Sequence, residues 1–259
     1  MKFDSLNEAL AHFRSGVQTY ETIRASLELI SEDARKISFR KLCEDAYTYS
    51  WQVPIMLQKT DEALYAAEKG RAQALLDALK INYSFTSLLS RTDESEEDFT
   101  YISRQICPLT VFLAVQNETI NMWVLRKESS PIFRQAKLKI GGAFEDCSRA
   151  FFENVSKSYC LQQLYDAVIG PIEDLLDGDE LIVVPDGASC LAPWSALSES
   201  LRIRTAPSLR TLSLITDSPD EYHCKSGALI VGDPCMKKFT NKWGMPVYEQ
   251  RAFAKRKSR

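Results

Sequence analysis

Apolar positions in the first eighty residues recur every three or four places. Leu6, Ala9, Leu10, Phe13, Val17, Tyr20 and Ile23 therefore share one face of a helix. A second helical run extends from about Asp33 to Leu57 and carries Ile37, Leu42, Ala46, Tyr47 and Trp51. Pro54 lacks an N–H and is expected to end or kink it. A third run opens at Asp61, an acid suited to a first turn, and continues through EALYAAEKGRAQALLDAL. Its Ala and Leu are strong helix formers, and regularly spaced Ala lets helices pack closely. Three helices are too few to stack as a solenoid, so the segment is expected to be the end of an array of helix pairs.

Residues 82–98 break this periodicity and finish in an acidic cluster, which predicts a solvated linker and a boundary near residue 98. From residue 109 the period shortens. LTVFLAVQNETINMWVLR reads as a hairpin turning at Gln116, Asn117 and Glu118, and IFRQAKL supplies a third short strand after the Ser129-Ser130-Pro131 turn. Amphipathic helical stretches follow over about Gly142 to Val155 and Tyr159 to Leu176, the second interrupted by Pro171. LIVVP at 181–185 and ALIVGDP at 228–234 contain short, wholly apolar runs, the pattern of strands covered on both faces by helices. Helices alternating with buried strands predict an α/β class with a largely parallel sheet.

The balance of charge adds little until it is divided along the chain. The net charge of -3 does not favour nucleic acid or an anionic membrane as partner. Residues 237–259 differ from the rest, with eight Lys/Arg against one Asp/Glu. The end of that tail, RAFAKRKSR, is read as a disordered chain end in preference to a localisation or anionic-surface patch. Seven cysteines, an odd number without a CxxC pair, fit reduced thiols. The N-terminus is charged and amphipathic, unlike a secretion signal, and no apolar run approaches the ~20 residues that cross a bilayer. The expectation is a soluble, cytoplasmic protein.

Candidate chemistry is sparse. A cysteine nucleophile needs an imidazole facing it from a separate element. His12 lies in the first helix, where a surface or partly packed ring is expected. His223 adjoins Cys224, and neighbours in an extended chain point to opposite sides. Ser195 lacks the flanking glycines of a nucleophile elbow, so a capping or buried role is expected instead. Cys190, His223, Cys224 and Cys235 have no metal-ligand spacing, and no phosphate-loop motif occurs, so neither metal nor cofactor is expected. Asp186 and Gly187, after the apolar run at 181–185, make a tight turn: Asp bonds its own backbone and Gly accepts positive φ. Strand ends of α/β sheets are also where ligands bind, so Asp186, Gly187 and the equivalent Asp233 are the candidate edge of a pocket.

Several ordered blocks resemble a known family. AAEKGRAQALLDAL (66–79) is similar to the helix joining TPR arrays to CHAT domains. LYDAVIGPIEDLL and DELIVVPDGASCLAPWSAL look like the most characteristic CHAT block, and RTAPSLRTL and ALIVGDP resemble the next two in the same order. The continuation CMKKFTNKWG is similar to the large animal TPR–CHAT proteins. The resemblance covers roughly residues 60–250. It implies a caspase-like fold whose active members are cysteine peptidases, with a His-Gly pair and a Cys block well after the ALIVGDP strand. No histidine follows Pro234 in this sequence, and none of its seven cysteines matches the family nucleophile. The fold expectation is thus α/β: an incomplete caspase-like CHAT domain (99–236), preceded by a TPR-like all-helical segment (1–81) and an acidic linker (82–98), and followed by a basic tail (237–259). The expected function is a non-catalytic protein-interaction module. Its partners are expected to be proteins bound through the helices, or a full-length TPR–CHAT relative, with no nucleic acid and no membrane. The alternative is a fragment of a caspase-like cysteine endopeptidase whose catalytic half lies beyond residue 259.

Overall fold

The structure is a computed structural model that describes residues 2–27, 42–71, 99, 103, 108–116, 118–138, 157–217, 238–240 and 246–248. The acidic linker, the 142–155 stretch, the ALIVGDP run with Asp233, His223, Cys224 and the terminal RAFAKRKSR all lie outside these residues. The chain divides into two compact units, Met1–Asp217 and Ser218–Arg259.

Among the described residues the first unit opens with the helices α1 (Lys2–Leu27), α2 (Glu44–Met56) and α3 (Thr60–Lys69). Leu10, Val17 and Tyr20 are buried, as the three- and four-residue spacing in α1 predicts, whereas Ile23 is largely exposed. Tyr20 meets Tyr47 of α2 edge to face at 5.5 Å, and Phe13 stacks on Tyr49 at 5.0 Å. Pro54 sits within the last turn of α2 and is buried there, so the helix runs two residues past it to Met56. The Lys59 N–H then returns to the Pro54 carbonyl at 2.9 Å and closes the turn. α3 starts with Asp61 and Glu62 in its first turn, where acids complement the helix dipole. It ends at Lys69, short of the long helix expected, because Gly70 carries little helix propensity and Arg71 N–H bonds back to the Glu68 carbonyl at 2.8 Å.

The sheet follows: β1 (Thr110–Gln116), β2 (Thr119–Leu125) and β3 (Ile132–Lys137) form an antiparallel meander. β4 (Glu180–Val184) and β5 (Arg202–Thr205) then join parallel to β1, giving the order β3-β2-β1-β4-β5. Among the described residues the sheet is therefore mixed and not largely parallel, because the hairpin and its third strand contribute three of its five strands. Between β3 and β4, α4 (Lys157–Leu164) passes into a π turn (Tyr165–Ile169) and a 3-10 segment (Gly170–Leu175). Pro171, which cannot donate to an α-helical ladder, stands at the start of that 3-10 segment. α5 (Leu209–Asp217) follows β5.

Alternation along the strands sorts the core into two layers. Val111, Leu113, Ile120, Met122, Val124, Leu181 and Val183 pack with Leu164, Val168, Ile169 and Ile172 on one face. Phe112, Ala114, Trp123, Leu125, Ile182 and Val184 face the other way, onto Trp51, Ala63, Leu64, Ala67 and Leu209. Helices α2 and α3 thus cover one face of the sheet. Trp123, fully buried, donates its indole N–H to the Thr60 carbonyl at 2.8 Å and ties the start of α3 to β2. Each large side chain of this kind contributes on the order of 3–5 kcal/mol against truncation to Ala.

In the second unit the described residues form one antiparallel pair, β6 (Lys238–Thr240) with β7 (Pro246–Tyr248). Among the described residues, no helix is long and apolar enough to cross a membrane.

Candidate functional site

The strand-end turn predicted to border a pocket is held from an unexpected direction. β1 and β4 run parallel with Phe112 opposite Val184, so β4 ends beside the middle of β1 and, among the described residues, leaves the β1 edge from Leu113 onward without a strand on that side. Arg71, just beyond α3, reaches this edge with a guanidinium whose side chain is only 10% exposed. It donates to Val184 O at 3.2 Å, to Pro185 O at 2.9 Å and to Leu113 O. The same group lies 3.8 Å over the centroid of the Phe112 ring, within cation–π range. Asp186 stands 3.6 Å from it as counter-charge and accepts the Val115 N–H at 3.0 Å, extending the ladder past the end of β4.

The turn itself is fixed locally. Gly187 has φ +51°, the left-handed region, where a Cβ is disfavoured. Ser189, fully buried, accepts the Asp186 N–H and donates to the Asp186 carbonyl, both at 2.7 Å. Trp194 donates its indole N–H to the Ser189 carbonyl at 2.9 Å. Five donors on a planar fork suit Arg71 to this place, where three backbone carbonyls converge, while Asp186 takes the one N–H, that of Val115. The crevice between the end of β4 and the adjoining edge of β1 is filled by the chain's own cation.

Three residues before Arg71, Glu68 performs the matching task on α5. Its carboxylate is buried and accepts the Arg210 N–H at 2.9 Å, at the N-terminus of α5 where an anion is favoured. Ser208 completes that end by accepting the Thr211 N–H at 3.0 Å. Burial pushes the Glu68 carboxyl above its ordinary value, against the N–H groups of Arg210 and Leu209 and the guanidiniums of Arg71 and Arg210. Burial likewise pulls Arg71 below the usual guanidinium value, opposed by Asp186 and Glu68. A guanidinium stays charged regardless.

Cys190, one residue after Ser189 and exposed, is the described cysteine near this cluster. Burial of its sulfur pushes the thiol above its ordinary value; the Arg71 charge opposes this and Asp186 adds to it. Such a thiol is a poor nucleophile near neutral pH, since the thiolate is the reactive form. His12 is exposed on α1. Ser195 is exposed within a 3-10 turn (Trp194–Ala196) and is not in the buried or capping role expected of it. Among the described residues, no three His, Cys, Asp or Glu side chains are grouped to hold a metal. The cluster's chemistry is to bind carbonyls and helix N–H groups of its own chain.

A separate concavity opens on the helical layer. Arg14, Val17 and Gln18 of α1, Ser50 of α2, and Glu62, Tyr65, Ala66 and Lys69 of α3 line a cavity of about 240 Å³. Ion pairs bridge α1 and α3 at both ends: Arg14 to Glu62 at 2.7 Å and Lys69 to Glu21 at 2.8 Å. The partners are seven residues apart on each helix, so the two bridges stand about 10 Å apart. Lys59 adds a second cation to Glu62 at 3.0 Å. Burial alone would raise the Glu62 carboxyl, but its bonds to Lys59 and Arg14 outweigh that and hold it below the ordinary carboxylate range.

Of the candidates read from sequence, Asp186 and Gly187 adjoin this clasp, and Asp233 lies outside the described residues. The sequence reading missed Arg71 and Glu68. A signal was present in the sequence: Leu64, Ala67, Glu68 and Arg71 follow the i, i+3, i+4, i+7 spacing, which sets two charges in line with an apolar stripe, although the helix itself ends before Arg71. Comparison of the chain with protein-family models, with curated proteins and with solved structures gives no match in any of the three.

Proposed function

We propose that this chain is a non-catalytic protein-interaction module, with a TPR-like helical segment and part of a CHAT-type, caspase-like domain, that engages a protein partner through its helices. The observation that carries this reading is the groove between α1 and α3, floored by Ser50 of α2. Its volume of about 240 Å³ lies below the ~300–1,000 Å³ of small-molecule pockets and suits one or two side chains of a docked segment. The strand-end crevice is the competing location, and Arg71 occupies it.

Panning a displayed random-peptide library on the immobilised chain tests the proposal. Gln18→Phe, which places a ring at an exposed groove position, serves as the counter-screen. Peptides enriched on the unaltered chain and lost on Gln18→Phe are expected. Enrichment indifferent to that substitution, or none at all, would refute the groove as the interaction site.

A further inference from the structure

Two cations share one acid at the edge of the groove: Arg14 and Glu62 line it, and Lys59 reaches Glu62 from just outside the lining. Glu62 receives Arg14 on one oxygen and Lys59 on the other, at 2.7 and 3.0 Å, so two positive charges meet one negative. Exposure sharpens the imbalance. The Arg14 and Lys59 side chains are 53% and 46% exposed while Glu62 is 25% exposed, so solvent and any ligand meet the cations first. At the far end, Lys69 pairs with Glu21 at 2.8 Å, and both side chains are mostly covered. The space between is lined by buried Val17 and by Ser50, a small residue whose hydroxyl is turned to the Tyr47 carbonyl at 2.6 Å.

We propose that the groove selects an acidic peptide segment, one carboxylate-bearing side chain seating at the mouth against Arg14 and Lys59. This rests on the reading of the chain as an interaction module and names the partner's chemistry. A carboxylate there completes a two-cation, two-anion arrangement with Glu62, whereas a cationic ligand side chain would add a third positive charge. Glu62 is then the groove's own competitor for the cations. Removing its charge frees both of them for the ligand.

The experiment measures fluorescence anisotropy of two labelled peptides on the full chain, one of Glu, Ala and Leu and the other with each Glu replaced by Gln. The Glu peptide is expected to bind more tightly and to lose affinity as salt is raised. Arg14→Gln and Lys59→Gln are each expected to weaken it about two- to fivefold, the range for exposed charge pairs, and Glu62→Gln to strengthen it by a similar factor. A merely structural role for the Arg14–Glu62 bridge predicts the opposite sign for Glu62→Gln, so weakening there overturns the proposal. Equal binding of both peptides overturns the acidic preference and leaves the interaction reading standing. Absence of binding by either peptide, where panned peptides do bind, overturns the preference as well; absence of all peptide binding overturns both.

Discussion

Replacing Arg71 with Met keeps much of the stem's bulk and removes the fork. Three backbone carbonyls, Leu113, Val184 and Pro185, lose their donor, and Asp186 loses its counter-charge. Hydrogen bonds from a charged donor contribute about 1.5–3 kcal/mol each, and the ring contact with Phe112 adds about 0.5–2. The gross loss is partly offset, because a buried guanidinium no longer has to be desolvated. Water can also reach the carbonyls nearest the exposed Gly187. A net destabilisation of about 2–4 kcal/mol follows, or a fall in Tm of very roughly 4–16 °C at about 2–4 °C per kcal/mol. Urea unfolding followed by tryptophan fluorescence provides the assay, since Trp51, Trp123 and Trp194 are all buried in the first unit. The midpoint should move at unchanged slope. Arg71→Lys keeps the charge but cannot span three acceptors from one point, so it should fall between Met and the unaltered chain. In a double-mutant cycle with Asp186→Asn the two losses should be less than additive, because each removes part of the same pair. A Met variant within about 0.5 kcal/mol of the parent would refute the assignment of Arg71 as the clasp on the strand ends.

Other consequences follow from neighbouring groups. Glu68 has its folded value raised by burial, so its contribution is fully present below the unfolded carboxyl value of about 4.3 and is lost as pH rises through the folded one. Glu68→Gln should therefore gain stability relative to the parent between acid and neutral pH in matched urea titrations; the reverse trend would mean that the two arginines outweigh burial. Gly187→Ala must place a Cβ at φ +51° and should cost about 1–2 kcal/mol by the same assay, although the space around the position is open. Alkylation of Cys190 by iodoacetamide, followed by mass spectrometry, should rise with pH at a midpoint above that of a free cysteine. It should move higher still in Arg71→Met, because the cation that opposes the shift is gone.

How far the fold was legible depended on how much of each element's burial its own residues announce. β1, β2 and β4 carry continuous apolar runs, so their strands and the hairpin turn could be read directly. β5 could not: Arg202, Ile203, Arg204 and Thr205 place one apolar side chain inward, and Arg204 pairs with Glu180 of β4 at 2.6 Å. Such a strand is defined by its neighbour and not by its own pattern. The early end of α3 at Gly70 was similarly hidden, because Ala and Leu continue on both sides of the glycine. Asp186 was readable as a turn residue from its place before Gly187. Its partnership with Arg71, far away in sequence, needs the parallel register of β1 on β4, which no local pattern contains. Glu68 and Arg71, in sequence register with the apolar stripe of α3, were the available clue, and their proximity to helix-forming Ala and Leu masked it.

The same stripe explains why the groove and the clasp can be studied apart. Successive residues of α3 point in directions about 100° apart, so Leu64 and Ala67 face the sheet and Glu68 reaches α5, while Glu62 and Lys69 face α1. One face holds strand carbonyls and a helix N-terminus in the interior; the other holds ion pairs that remain in contact with water. Interior pairs left half-empty cost several kcal/mol, while exposed ones cost about 0–1 kcal/mol. Glu62→Gln and Arg14→Gln should thus change peptide affinity with a urea midpoint almost unmoved, and Arg71→Met should do the reverse to first order. If instead the groove substitutions shift the midpoint as far as Arg71→Met does, the bridges between α1 and α3 hold the helical layer together. The groove would then be a by-product of that packing and not a surface kept open for a partner.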